Sequence, residues 1–302
     1  MRVGLTLIAV SVTASLFIGV AATYAQSVSN PLLEPRFDAS CPSSYAHDRQ
    51  PSDPEISIAG VSFSGALQMP VADQNQIADS VKHDTRGTSP EGVTDEALER
   101  VRAGWQNRGY FKVKVSGEAS ALTGDAANPR IALFVHVDEG AQYRLGGITF
   151  KNNRSITNFE ALRRLFPVND DDIFSRERIA EGLENLRKAY LQFGYINFTS
   201  VPDTRFDERK KRILLEIDVD EGKQFYVREV DVLGASEAAS QEILRDFPVG
   251  KVYNARIFEL FLKQHSSQLG FSSDDPWHVT KHLDERAGTV AITLDARPCA
   301  VD

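Results

Sequence analysis

The sequence has only two cysteines among 302 residues, so one intramolecular disulfide is the most it can form. It also lacks an excess of positive charge: 34 Lys and Arg stand against 42 Asp and Glu, a formal net charge of -8. Binding to DNA or RNA is driven by clustered cations that neutralise phosphates, and this balance argues against nucleic acid as a partner. After residue 22 no apolar run resembles a membrane-spanning helix. Missing too are a Gly-x-Ser-x-Gly elbow, a phosphate-binding glycine loop and a cysteine nucleophile in a recognisable setting.

The six histidines, His47, His83, His136, His265, His278 and His282, are scattered. Only His278 and His282 have a metal-like i, i+4 spacing, on an expected strand and without the Glu of a His-Glu-x-x-His zinc site. His265 reads as a core or boundary residue of a helix. Asp170, Asp171 and Asp172 lack the alternating ligands, glycine and late glutamate of a calcium loop; three acids ahead of a helix suit the positive end of its dipole. No catalytic residue, metal ligand or cofactor site emerges, and the sequence reads as a binding protein in place of an enzyme.

Turning to what is present, Arg2 precedes an apolar run from Leu5 to Ala22, and Thr23-Tyr24-Ala25 offers small residues where a signal peptidase reads. Residues 1–25 are expected to be a signal peptide that sends the chain to the periplasm. The competing reading keeps residues 5–22 as an uncleaved inner-membrane anchor of an envelope or division assembly protein. Pro31, Pro35, Pro42, Pro51 and Pro54 then mark residues 26–54 as a linker.

Internal repetition organises the rest. Val137-Asp138-Glu139-Gly140 recurs as Val219-Asp220-Glu221-Gly222, and Phe166-Pro167-Val168 recurs as Phe247-Pro248-Val249. A glycine followed by an aromatic appears at Gly109-Tyr110, Gly194-Tyr195 and Gly270-Phe271. The period of about 80 residues suits a small autonomous domain more than a solenoid repeat. Three units are expected at 55–140, 141–222 and 223–297, with a tail at 298–302.

Within one unit, Tyr143, Leu145, Ile148 and Phe150 read as a short strand, matched by Ile58, Val61 and Phe63 and by Val227, Val230 and Val232. Gly65, Asn152 and Gly234 close these strands. A short helix follows in each unit, such as Ser236 to Phe247 with Ser236 as N-cap. A second helix has the strongest periodicity: after the cap Ser175, Ile179, Leu183, Leu186 and Tyr190 share one face until Gly194. Leu98, Val101 and Trp105 do the same before Gly109, and Phe258, Phe261, Leu262 and His265 before Gly270. Paired strands follow at 111–120 and 130–138, 196–206 and 212–219, and 277–283 and 289–294. The fold class is therefore α+β: three tandem β-α-α-β-β modules, each a small three-stranded mixed sheet covered by two helices.

A unit of this order and length, with Gly-aromatic after its second helix and Val-Asp-Glu-Gly ending its third strand, resembles the POTRA domain. The resemblance covers about residues 55 to 296. It implies handling of polypeptide clients, since POTRA domains form the periplasmic arms of outer-membrane barrel-assembly proteins and two-partner-secretion transporters. Those proteins continue into a β-barrel, whereas this sequence stops at Asp302. Barrel insertion is thus not carried over, and a separately encoded outer-membrane barrel is an expected partner.

The last two strands of each module form a hairpin, and burying the most apolar strand centrally gives the order β1-β3-β2, numbering strands within a module. Ile213, Leu214, Leu215, Ile217 and Val219 fit that central strand. Pro202, Lys112 and Lys114 are features of a guarded edge. The expected client-binding edges are Phe111, Lys112, Val113 and Lys114 in the first module and Ile196, Asn197, Phe198, Thr199 and Ser200 in the second, through β-augmentation. Arg205, Arg209, Lys210, Lys211 and Arg212 cluster at a hairpin turn; the plainer reading is a solvated tip, the functional one contact with anionic lipid or an acidic partner. Cys41 and Cys299 are candidates for a disulfide, within one chain only if the modules bend back, or between chains. N-terminal sequencing of envelope-fractionated protein should find a mature chain starting near Gln26; an intact Met1 would establish the anchored reading instead.

Overall fold

The computed structural model describes residues 55–122, 129–245, 247–271 and 278–297. The expected signal peptide and linker, with Cys41 and Cys299, lie outside the described residues. The first module runs β1 (Ile56–Ser64), α1 (Val71–Asp84), β2 (Arg86–Gly87), α2 (Pro90–Gln106), β3 (Lys114–Ala121) and β4 (Arg130–Asp138). The second comprises β5 (Arg144–Lys151), α3 (Phe159–Arg163), α4 (Arg176–Gln192), β6 (Thr199–Asp207) and β7 (Arg212–Asp220). In the third are β8 (Tyr226–Leu233), α5 (Glu237–Leu244), α6 (Ala255–Leu269), β9 (Val279–Asp284) and β10 (Thr289–Asp295). Among the described residues no helix is long and apolar enough to cross a membrane.

The sheets are ordered β2-β1-β4-β3, β5-β7-β6 and β8-β10-β9. The last strand of each module (β4, β7, β10) is thus internal, parallel to the first (β1, β5, β8) and antiparallel to the strand before it (β3, β6, β9). Hydrophobicity explains the order. Ile213, Leu215, Ile217 and Val219 are all buried on β7, while β6 is largely exposed along its length. Each module has its own core, built around Trp105 and Leu133, around Leu186 and Ile213, and around Phe225 and Ile292.

Three sequence expectations need correction. The first helix is short in modules two and three, but α1 has 14 residues, with Ile77 and Val81 buried against the sheet. The helix begun at Ser236, whose hydroxyl accepts from the Ala239 N–H, ends at Leu244 and not at Phe247. Module one has a fourth strand, β2, because two residues there pair with β1; the equivalent segments elsewhere make single bridges, Arg144 to Ile173 and Tyr226 to Val252.

The Glu of the Val-Asp-Glu-Gly repeat has a structural reason. Buried Glu139, 3% exposed, accepts from the N–H groups of Gln68 (2.6 Å) and Met69 (3.2 Å) and from Trp105 Nε1 (3.0 Å). It ties the loop after β1 to α2. Glu221 repeats this with Ser155 N (2.8 Å), Ser155 Oγ (2.7 Å) and the Tyr190 hydroxyl (3.1 Å). Burial opposes the charge of Glu221, yet the donors from Ser155 and Tyr190 hold its carboxyl below the ordinary range. Module three has Ala296 at the carboxylate position and Ser266, whose hydroxyl donates to the Lys263 carbonyl, at the aromatic one, so the clasp's carboxylate and aromatic donor are absent together.

Successive modules are joined by a repeated turn. At Gly109 φ is +88°, and a Cβ there would meet the Tyr143 carbonyl at 2.8 Å, so glycine is required. The Gly109 carbonyl accepts from Tyr143 N (2.8 Å), as the Gly194 carbonyl accepts from Phe225 N (2.9 Å). Two residues after each glycine a side chain enters the next module. Phe111 packs on Phe174 and Phe206 with ring centroids at 5.3 and 5.6 Å, and Ile196 packs on the third core. The following residue reaches the next hairpin tip: Lys112 pairs with Glu208, and Asn197 donates to Glu285 (2.9 Å).

Glu139→Ala strands three donors in the first core, and should lower stability by about 3 kcal/mol or more in denaturant unfolding. A loss below about 1 kcal/mol would show that the carboxylate is not a clasp. Separately, hydrogen bonds from Lys112 and Tyr143 hold the Glu208 carboxyl down, to about 2. Its contribution to the first junction is therefore full above the free value of about 4.3 and disappears as pH falls toward 2. Because Glu208 is half exposed, solvent screens the interaction. Carboxyl-detected NMR should give a midpoint well below that of a free glutamate; an ordinary midpoint would mean the latch is open in solution.

Candidate functional site

Among the described residues β3, β6 and β9 each leave one side without a neighbouring strand. Which backbone groups face outward follows from the hydrogen bonds of the central strand. The Lys211 carbonyl accepts from Arg144 N (3.0 Å), so odd-numbered residues of β7 turn their backbone toward β5 and even-numbered ones toward β6. The register partners of the latter are Thr199, Val201, Asp203, Arg205 and Asp207. Ser200, Pro202, Thr204 and Phe206 therefore face outward. Pro202 has no N–H, which removes a donor from the middle of this edge.

In module three the Gly288 carbonyl accepts from Tyr226 N (2.9 Å), and the same alternation leaves Val279, Lys281 and Leu283 facing outward. The Lys281 side chain lies over the rings of Tyr253 and Phe258, with Nζ at 5.2 and 5.1 Å from their centroids. The residue is exposed overall, but desolvation against these rings, with a smaller effect from Arg187, lowers its pKa. A charged side chain turned onto the packed face of an edge strand discourages uncontrolled strand addition.

Module one differs. Ser57 N donates to the Pro129 carbonyl (3.1 Å) and Leu122 N to the Arg130 carbonyl (2.9 Å), so Val115, Gly117, Ala119 and Ala121 face outward on β3. All four retain their N–H, and none carries charge. Val115 and Ala119 pack against the core while their backbone groups face out. Gly117 allows close packing here, since a Cβ would sit 2.5 Å from the Phe134 carbonyl.

This placement corrects the sequence reading of the edges. Phe111, Lys112 and Val113, and likewise Ile196, Asn197 and Phe198, precede their strands. The reason is the turn after the glycine, closed by Val113 N to the Tyr110 carbonyl (3.1 Å) and Phe198 N to the Tyr195 carbonyl (3.2 Å). Lys114, Thr199 and Ser200 lie on the strands, but the first two direct their backbone to the central strand, leaving Ser200 outward. Val115, Gly117, Ala119 and Ala121 were not singled out from sequence. Their signal is a proline-free run of small residues alternating in register with the apolar positions of β4.

The basic cluster sits at the β6–β7 tip. Arg205 meets Asp203 and Glu216, Lys210 meets Asp207, Lys211 meets Glu208 and Arg212 meets Asp171; Arg209 has no ion pair among the described residues. Most of its charge is offset within the module. Asp170 and Asp171 meet Arg163 and Arg212, while Asp172 accepts from Asn169 N (2.8 Å). The acids thus order a turn several residues ahead of α4. His265 is half-buried beside Phe261, His278 bonds the Asp295 carbonyl (2.6 Å), and His282 lies on β9. Among the described residues no three metal-capable side chains converge.

Comparison with known proteins agrees with this geometry. The model of a family described as "POTRA: Surface antigen variable number repeat" matches residues 143–222. The chain is 22% identical over 175 residues to the outer membrane protein assembly factor BamA of Buchnera aphidicola, covering 57% of this chain and 28% of that protein. It is 26% identical over 193 residues to a putative outer membrane protein assembly factor of Treponema pallidum, covering 63% and 23%. The chain therefore spans about a quarter of the length of these relatives. In structure it is similar to POTRA domains 3–5 of Haemophilus influenzae BamA, with TM-score 0.56 and 19% identity over 81% of this chain and 97% of that one. The middle module, residues 143–222, matches the POTRA family model, and the described chain has the fold of three tandem POTRA domains.

Proposed function

We propose that the chain is a periplasmic polypeptide-binding scaffold of outer-membrane protein assembly or secretion, and that it takes up extended clients by β-augmentation along β3. The observation that carries this reading is the contrast among the three edges. β6 is interrupted by Pro202 and β9 carries the inward Lys281, whereas β3 offers four outward N–H groups without proline or an inward charge. An unguarded edge is an aggregation liability unless a partner uses it. Backbone pairing there depends little on client sequence, which suits a scaffold serving many polypeptides.

The relatives named as outer membrane assembly factors support the setting, and an outer-membrane β-barrel protein is the partner this role requires. The scaffold acts by holding clients extended, with no bond made or broken. The first-module site comprises Val115, Gly117, Ala119 and Ala121.

Ala119→Pro removes one outward donor without disturbing the β3–β4 ladder. It should weaken binding of unfolded outer-membrane polypeptide by roughly 3- to 10-fold, the worth of one backbone hydrogen bond. Pro202→Val restores a donor on β6 and should add binding. Unchanged binding in both folded variants, measured by fluorescence anisotropy, would remove strand addition as the mechanism.

A further inference from the structure

The two junctions are built alike, hydrogen bond for hydrogen bond. Leu145 N meets the Asp172 carbonyl as Val227 N meets that of Lys251, and Phe174 N meets the Tyr143 carbonyl as Tyr253 N meets that of Phe225. With the two glycine turns, these bonds fix the residues that correspond. Arg108, Arg144 and Arg178 of the first junction correspond to Phe193, Tyr226 and Ile257 of the second. The backbone is repeated and the chemistry is reversed.

In the first junction these three arginines line one cleft of about 510 Å³, floored by Met69, Tyr110 and Ile173. Arg108 is engaged by Asp73 (3.1 Å) and Gln76 (2.8 Å). Arg144 donates to the Asp171 carbonyl (2.7 Å), and neither it nor Arg178 has a carboxylate at ion-pair distance among the described residues. Both are exposed. Asp73 and Asp172 also line the cleft, the first held by Arg108 and the second accepting from Asn169, so three cations face two carboxylates and leave a net charge of +1 in a protein of net charge -8. At the second junction the same three positions are apolar and 55%, 44% and 49% exposed.

We infer that the first-junction cleft is a carboxylate-binding site that takes an acidic stretch of a polypeptide, with Arg144 and Arg178 as its ligands and Arg108 as the positioned wall. Guanidinium groups pair with carboxylates in bidentate geometry, and a partly enclosed site strengthens that pairing over the same charges on open surface. A polypeptide fits better than a membrane, because the arginines line a cleft with an apolar floor, which a side chain can enter and a flat headgroup layer cannot. The second junction, apolar at the same positions, does not share this selectivity. The inference rests on the polypeptide-binding reading for its class of ligand, but it uses different residues from β3.

The test uses the full mature chain and fluorescein-labelled peptides: an oligoglutamate, the corresponding oligoglutamine and an oligolysine. The oligoglutamate should bind selectively, and R144Q/R178Q should weaken it about tenfold or more while R209Q, a cation outside the cleft, leaves it unchanged. Ala119→Pro should not alter oligoglutamate binding, so failure at β3 and failure at the cleft are read separately. Equal loss in R209Q and R144Q/R178Q would mean diffuse electrostatics and would overturn the site. Loss of binding to phosphatidylglycerol vesicles in R144Q/R178Q, with oligoglutamate binding intact, would overturn it in favour of a membrane contact. Circular dichroism checks folding; should R144Q/R178Q unfold, R178Q alone, a change at an exposed position, must still show the selective loss.

Discussion

The turn that hands one module to the next is the constraint from which much of the structure follows. At Gly109 and Gly194 the chain takes a left-handed conformation at close range to the following module, and each glycine carbonyl is satisfied by that module's first strand. A buried carbonyl left without this donor would be costly, so turn and neighbour are specified together. The same turn delays the second strand by several residues, places Phe111 and Ile196 in the next core, and brings Lys112 and Asn197 to the next hairpin tip. It also creates the cleft in which Arg108, Arg144 and Arg178 meet.

A sheet of three or four strands cannot close on itself, so every module retains edges, and the three modules treat the hairpin edge differently. Proline in β6 and an inward lysine in β9 are two unrelated chemical solutions to one problem. That β3 has neither is meaningful because the other two modules show the fold can accommodate a guard. The junctions show the same economy: an unchanged hydrogen-bond frame carries arginines in one place and Phe193, Tyr226 and Ile257 in another. Repetition fixes the scaffold, and variation at exposed positions of that scaffold sets the chemistry each module presents.

Much of the architecture was legible in the sequence, because its signals are periodic and local. Helix α4 follows from Ser175 and the spacing of Ile179, Leu186 and Tyr190, and the central place of β7 follows from its apolar residues. The edge was misplaced for a physical reason: Phe111, Val113 and Phe198 are apolar and alternate like strand residues, but the turn delivers Phe111 to the next module and Val113 and Phe198 to their own cores, a tertiary demand that period two cannot distinguish from a strand. The direction of each N–H was also out of reach, since it depends on register across the sheet. The arginine cleft draws on residues 108, 144 and 178, which become neighbours only when the modules dock. Even so, aligning the two Val-Asp-Glu-Gly repeats would have exposed the reversal at Arg144 and Tyr226.

The central claim is that β3 receives client backbone. Residue-resolved amide hydrogen exchange tests it most directly, with and without unfolded outer-membrane polypeptide. The outward N–H groups of Val115, Gly117, Ala119 and Ala121 should gain protection in the complex, while those of Ser116, Glu118 and Ser120, already directed to β4, change little. Protection that ignores this alternation, or that appears on β6 or β9 with β3 unchanged, would contradict the account.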